Sequence, residues 1–209
     1  MQPRGETVNG ERTEGPPRPS LRERKKAKTR AAIQRHALRL FGTQGYEATT
    51  VEQIADAAEV APSTLYRYFP SKADILLRDE LDEALADGFR AQPAGMSALE
   101  ALRATLRAAF ATLPPEEAEL LRQRAALARQ VPELRAVMLD EVVRSLHTTI
   151  RLVAERTGRP TDDVAVRTLA GAVLGVSVAA WLTAGEDSFP AYLAMTDQGL
   201  ALLGEGLRF

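Results

Sequence analysis

The chain of 209 residues contains no cysteine. That excludes disulfide scaffolds, thiolate zinc sites and cysteine nucleophiles. Its two histidines, His36 and His147, are too few for a multi-histidine metal site or a conventional triad, and both read as ordinary helix residues. No carboxylate pair, metal cluster or nucleophile with a base stands out, so neither a catalytic set nor a cofactor is expected. The beginning of the sequence is polar and lacks the apolar core of a secretory signal. Long apolar runs are also missing. The most apolar stretch, Leu169 to Gly185, holds Gly171 and Gly175 in the G-x-x-x-G spacing of membrane helix dimers. It is a little short for a bilayer span, and Arg167 and Glu186 bound it closely. It reads as a buried helix of a cytoplasmic protein with no membrane partner. There is no period-two strand pattern and no repeat.

An apolar content of 45% is ordinary for a globular protein. The net charge of −1 hides an asymmetry. From Ser20 to Arg78 there are eleven basic and six acidic residues; from Asp79 onward there are thirteen and nineteen. All four lysines, Lys25, Lys26, Lys28 and Lys72, fall in the short basic part. A basic module joined to an acidic one points to a polyanion partner for the first alone. The expected organisation is a disordered tail over 1–19, rich in Gly, Pro and charge, a DNA-binding domain over 20–78 and a larger helical domain over 79–209.

Helical periodicity runs nearly throughout, giving an all-α fold. The first helix is expected from about Arg22 to Thr43, with Ile33, Ala37, Leu40 and Phe41 on one face and Gly42 and Gly45 ending it. Thr50 with Gln53 forms a capping-box pattern before a short helix carrying Val51, Ile54, Ala55 and Ala58. A turn at Glu59–Ala61 leads to a second short helix opened by Pro62, with Leu65 and Phe69 facing inward. Pro70 ends it, and Ser71 caps a longer helix from Lys72 to about Arg90. Five more are expected: Ser97–Leu113, Glu116–Gln130, Pro132 to near Gly158, Thr161 (as cap) to Trp181, and Ser188–Pro190 to Leu207.

Two short helices joined by a three-residue turn in a basic segment have the form of a helix-turn-helix. The second would lie in the major groove. With Leu65 and Phe69 inward, Ser63, Thr64, Tyr66, Arg67 and Tyr68 are available to phosphates, base edges and thymine methyls. For Tyr66 packing and DNA contact weigh equally, whereas Tyr68 reads as a contact. Lys72 at the start of its helix would clamp a phosphate, and Thr49 and Thr50 would do so on the other side. The cluster Arg22, Arg24, Lys25, Lys26, Lys28 and Arg30 extends the first helix toward phosphates or the minor groove.

These residues carry a family resemblance. Thr49-Thr50-Val51-Glu52-Gln53-Ile54-Ala55, then Val60-Ala61-Pro62-Ser63-Thr64-Leu65-Tyr66-Arg67-Tyr68-Phe69-Pro70-Ser71-Lys72, resembles the signature of the TetR family of repressors. Ala37-Leu38-Arg39-Leu40-Phe41 with Gly45-Tyr46 fits the same pattern, and the match spans about Thr29 to Leu76. The resemblance implies an all-helical homodimer with a three-helix DNA-binding domain and a larger ligand-binding domain. It implies Thr50, Ser63, Thr64, Tyr66, Tyr68 and Lys72 as DNA contacts. One departure stands out: where the family often has Ser or Thr before the proline, this chain has Ala61, and a lost N-cap typically costs about 1 kcal/mol.

The helix pattern beyond that segment, with the charged, Gln-rich opening of the first helix (Thr29-Arg30-Ala31-Ala32-Ile33-Gln34), is similar to the TetR subgroup that includes acyl-CoA-like ligand-binding and mycofactocin-system regulators. It implies a small apolar effector, an acyl-CoA-like molecule among the candidates. Leu106, Phe110, Leu127, Met138, Val142, Leu146 and Ile150 are candidate pocket residues, although plain core has the same periodicity. Arg122, Arg124 and Arg129 are candidates for an anionic group. Gly171, Gly175, Ser177, Ala179 and Ala180 suggest close helix approach, either across the dimer interface that the resemblance implies or within one subunit. The expected mechanism is repression at a palindromic operator, relieved by ligand. An adaptor without ligand and a helical enzyme are the rival readings.

Overall fold

The computed structural model describes residues 20–77, 81–184 and 189–207. The expected tail, Ser188 and the 78/79 domain boundary lie outside the described residues. Among the described residues every regular element is a helix: α1 (Leu21–Gln44), α2 (Val51–Ala57), α3 (Pro62–Tyr68), α4 (Lys72–Leu77), α5 (Leu81–Arg90), α6 (Ala98–Ala111), α7 (Pro115–Gln130), α8 (Pro132–Thr157), α9 (Val164–Thr183) and α10 (Phe189–Glu205). The helix expected from Lys72 to Arg90 is described as two pieces, α4 and α5, on either side of residues 78–80.

The helices begin and end for local reasons. Thr50 caps α2, its Oγ1 accepting from Gln53 N at 3.2 Å while Gln53 Oε1 accepts from Thr50 N at 3.0 Å. Ser97 and Glu100 form the same reciprocal pair at α6. Ser71 Oγ accepts from Asp74 N at the start of α4. Prolines open α3, α7 and α8, and Gly158 ends α8 at φ 67°, a left-handed geometry that suits glycine. One expected cap is corrected. Asp163, not Thr161, caps α9, its carboxylate accepting from Ala165 N and Val166 N. Three short polar residues, Thr161, Asp162 and Asp163, stand before that helix start. The aspartate offers a charged acceptor to two orphan N–H groups at once, which holds its carboxyl below the usual range.

The α2–α3 turn closes on Val60 N to Ala55 O (3.0 Å) and Glu59 N to Asp56 O (3.1 Å), the paired bonds of a Schellman motif. Its left-handed position holds Glu59, at φ 54°, not glycine. A non-glycine residue there costs about 1–2 kcal/mol of backbone strain. Glu59→Gly is therefore expected to stabilise the protein by about 1 kcal/mol after the added unfolded-state entropy of glycine, seen as a higher denaturant midpoint at unchanged slope. An unchanged or lowered midpoint would show that the turn is not strained.

Two buried clusters organise the chain. The first unites Ile33, Ala37 and Phe41 of α1 with Ile54, Leu65, Phe69, Ile75 and Leu76, and it continues into Ala128 of α7 and Leu134 of α8. The second joins Phe89 of α5, Ala101 and Leu102 of α6, Leu152 and Val153 of α8, Val166 and Val173 of α9 and Leu200 of α10. The module of α1 to α4 therefore shares its core with two later helices, and α4 packs on α8.

Candidate nucleic-acid interface and ligand clefts

Burying Leu65 and Phe69 completely fixes the roll of α3. Its other face presents Ser63, Tyr66 and Arg67 to solvent, with Thr64 half-buried. Tyr66 is 48% exposed, whereas Tyr68 is half-buried against the first core, under the Arg67 guanidinium. The geometry reverses the expected order of the two tyrosines: Tyr66 is the more available ring. Ala61 precedes α3 without a side-chain cap, and only its carbonyl serves the helix, accepting from Thr64 N and Leu65 N.

Neighbouring positions divide differently from expectation. Thr50 is exposed, but Thr49 is 1% exposed. Its hydroxyl donates to Gly45 O at 2.7 Å and accepts from Gln44 Nε2 at 3.1 Å. Thr49 thus has no surface to offer a phosphate, a correction that follows from the tight turn between α1 and α2. Gln44, which the sequence did not single out, also donates to Gln53 Oε1 and ties the end of α1 to the α2 cap.

Lys72 is half-buried. Its ammonium donates to Tyr46 O at 2.9 Å and Thr49 O at 3.3 Å and lies 4.1 Å from the centroid of the Tyr46 ring. Two of its three donors therefore hold the α1–α2 turn, and one is left for a phosphate oxygen. On α1 the side chains of Arg22, Arg24, Lys25, Lys26 and Lys28 are exposed, while Arg30 turns back over the Phe69 ring.

The module is joined to the larger domain by a polar seam. The Tyr46 hydroxyl donates to Glu133 Oε1 at 3.2 Å, at the start of α8. Burial, with Glu133 beside it, pushes this phenol above its ordinary range. Arg124 of α7 donates through Nε to Leu76 O in the last turn of α4. Arg124 was expected at a ligand; the structure places it at this seam instead, its guanidinium held by a backbone carbonyl of α4.

The apolar candidates separate into different places. Leu106 and Phe110 line a cleft of about 370 Å³ between α6 and α10, with Leu193 and Leu200 opposite and Arg103 and Arg107 at its side. Met138 and Val142 line a second cleft of about 360 Å³, with Val178 and Trp181 of α9 and Tyr192 of α10. Phe189 lies between, its ring 5.5 Å from Phe110 and 5.9 Å from Tyr192. Leu127 instead packs on the first core, and Ile150 packs on the second. Leu146 lines neither cleft. Among the described residues no group of three metal-ligating side chains is present.

The comparisons with known proteins fit this arrangement. Residues 33–78 match the family described as bacterial regulatory proteins, tetR family. Residues 96–208 match the MftR C-terminal domain. The chain is 38% identical over 152 residues to the HTH-type transcriptional regulator TcmR of Streptomyces glaucescens, covering 69% of this chain and 67% of that protein. It is 31% identical over 163 residues to the putative mycofactocin biosynthesis transcriptional regulator MftR of Mycobacterium tuberculosis, covering 76% and 80%. Among solved structures, the Thermus thermophilus repressor FadR in complex with lauroyl-CoA aligns with a TM-score of 0.57 at 24% identity, covering 86% of this chain and 95% of that one. At that identity the likeness speaks for the fold.

Proposed function

The chain belongs to the TetR family of bacterial transcriptional regulators and is a DNA-binding regulator, and we propose that it is a cytoplasmic homodimeric repressor released from a palindromic operator by a small apolar effector. The observation that carries the reading is the division of α3. Leu65 is fully buried, and Ser63, Tyr66 and Arg67 are exposed in a module whose charge is positive. Such a helix enters the major groove with its first turns at base edges, while the basic start of α1 and the third donor of Lys72 meet phosphates. A dimer would set two copies of α3 about 34–36 Å apart, in successive major grooves.

The effector would bind the larger domain, whose net charge is negative and whose clefts are lined mainly by apolar side chains. An acyl-CoA-like molecule is one form it could take; the lauroyl-CoA complex of FadR, a protein of the same fold, supports that class. Its binding would reach α3 through the seam, where α4, Tyr46–Glu133 and Arg124–Leu76 join the module to α7 and α8. Ligand and operator must then weaken each other by the same factor.

The test is operator selection from a random DNA pool, followed by titration of the selected duplex between 50 and 200 mM salt. The selected site is expected to be palindromic, and log K to fall against log salt with a slope of roughly −0.9 per phosphate neutralised. No enriched sequence, or affinity indifferent to salt, would count against the reading.

A further inference from the structure

We propose that the cleft between the second half of α8 and the start of α9 binds a small phosphorylated metabolite, a phosphate monoester on a polar body, as in a sugar phosphate. The site is separate from the two clefts described for an apolar effector, and it stands or falls independently of that reading.

Arg144, His147, Thr148 and Arg151 recur at three- and four-residue spacing, so α8 presents them on one face. Thr161 and Arg167 form the other side of a cleft of about 720 Å³, within the range of roughly 300–1,000 Å³ found for small-molecule sites. Its lining is cationic and hydroxylic, with Ile150 the one apolar side chain and no carboxylate. That composition is the reverse of its surroundings, because the net charge from Asp79 onward is negative.

Elsewhere in this domain arginines meet carboxylates: Arg90 meets Glu155, Arg103 meets Asp197, Arg122 meets Glu119 and Arg159 meets Asp163. At the cleft, Glu141 takes Arg144 in the same way. Among the described residues, Arg151 and Arg167 have no carboxylate partner. Each is steadied instead by a neutral oxygen, which leaves its charge uncompensated. Arg151 donates through Nη2 to Thr148 Oγ1 at 3.2 Å, and Arg167 donates through Nε to the Thr161 carbonyl at 3.1 Å. The other N–H groups of both forks are left for an anion. Accepting from Arg151 leaves the Thr148 hydroxyl its own proton to donate, and His147 adds a ring N–H to the same wall.

Two guanidinium charges with a hydroxyl and an imidazole exceed what a carboxylate can match with one charge and two oxygens. A phosphate monoester brings a charge of about −1.5 to −2 and three terminal oxygens, and guanidinium forks fit it bidentately. The polar walls offer nothing to a lipid chain, so the body of the ligand is polar too. Leu152, Val153 and Val166, which adjoin the site along the chain, are buried in the second cluster, not in the one beneath α3. Arg167 stands one turn before Gly171, near the small-residue face of α9, so the assembled full-length protein is the form to test.

Isothermal titration of that protein at low salt compares glucose 6-phosphate with gluconate, glucose and inorganic phosphate. Glucose 6-phosphate is expected to bind about tenfold or more tighter than gluconate, a carboxylate of similar size, because it offers more charge and more acceptor oxygens to the same donors. Glucose should not bind, and inorganic phosphate should compete with the ester. R151Q and R167Q should each weaken glucose 6-phosphate about tenfold, while R151K and R167K recover only part of the loss, because an ammonium lacks the planar fork. R135Q, at an exposed position nearer the start of α8, should change nothing. Circular dichroism melts verify that these surface variants fold. Equal affinity for gluconate and glucose 6-phosphate overturns the phosphate class. Phosphate binding that survives both R151Q and R167Q overturns the site and places the anion on the basic helix-turn-helix module. Failure of both phosphates to bind overturns it as well.

Discussion

Replacing Lys72 by alanine is expected to abolish operator binding at physiological salt and also to lower stability by about 2–3 kcal/mol. The second effect comes from the inward direction of the ammonium. It donates to the carbonyls of Tyr46 and Thr49, and hydrogen bonds from a charged group are worth about 1.5–3 kcal/mol each, with a further penalty when buried acceptors lose their donor. The turn those carbonyls belong to sets the start of α2, and α2 sets α3. Loosening it would misplace the recognition helix, and the third donor would be lost from a phosphate as well. Denaturant unfolding and operator titration of the same sample separate the two consequences. Lys72→Met keeps most of the aliphatic stem over the Tyr46 ring but no donor, so it should recover part of the stability and none of the DNA affinity. If Lys72 does reach a phosphate, the salt slope of any residual binding should flatten by about 0.9 per subunit. A Lys72→Ala protein with parental midpoint and parental affinity would refute both roles.

The double role of Lys72 marks the limit of what the sequence makes legible. Helix-turn-helix spacing is local, so α2, its cap at Thr50, the opening of α3 at Pro62 and the inward pair Leu65 and Phe69 can all be read from neighbours within four residues. The partners of Lys72 are backbone carbonyls more than twenty residues away, and a carbonyl has no letter in a sequence. The same holds for Arg124, whose acceptor is Leu76 O. Adjacent Thr49 and Thr50 are chemically alike, and only the roll of the turn after Gly45 decides that one is buried and one caps. In the larger domain a residue that lines a cleft and a residue that fills a core share the same helical period. Leu106 and Leu127 are indistinguishable by pattern, yet one faces α10 across open space and the other packs beneath the DNA-binding module.

The open alternative for the small residues of α9 leads to the other large effect, expected from Gly175→Leu. A Cβ added at Gly171 or Gly175 meets nothing within 4 Å, whereas one added at Gly199 of α10 would come within 2.5 Å of Val176 Cγ1. Close packing inside the subunit therefore accounts for Gly199 but not for the G-x-x-x-G pair, which faces outward. The apolar residues around that pair are also uncovered: Leu182 is 63% exposed, and Val164, Met195 and Leu202 are exposed with it. By length and composition α9 could cross a membrane. In a DNA-binding regulator, a second copy of the chain is the occupant we propose for this face, with α9 and α10 pairing across a twofold axis. Leucine at 175 would then hold the helices apart at their closest approach. Overpacking alone commonly costs about 1–3 kcal/mol, and a twofold axis applies the substitution twice, so the dimer dissociation constant should rise by about thirtyfold or more. Because the monomer has free space at this position, its helical content should be unchanged. Operator affinity should collapse with the dimer, since a lone module reads only one half-site. Sedimentation velocity and operator titration check the two together. A Gly175→Leu protein that remains a tight dimer with parental operator affinity would move the interface away from α9.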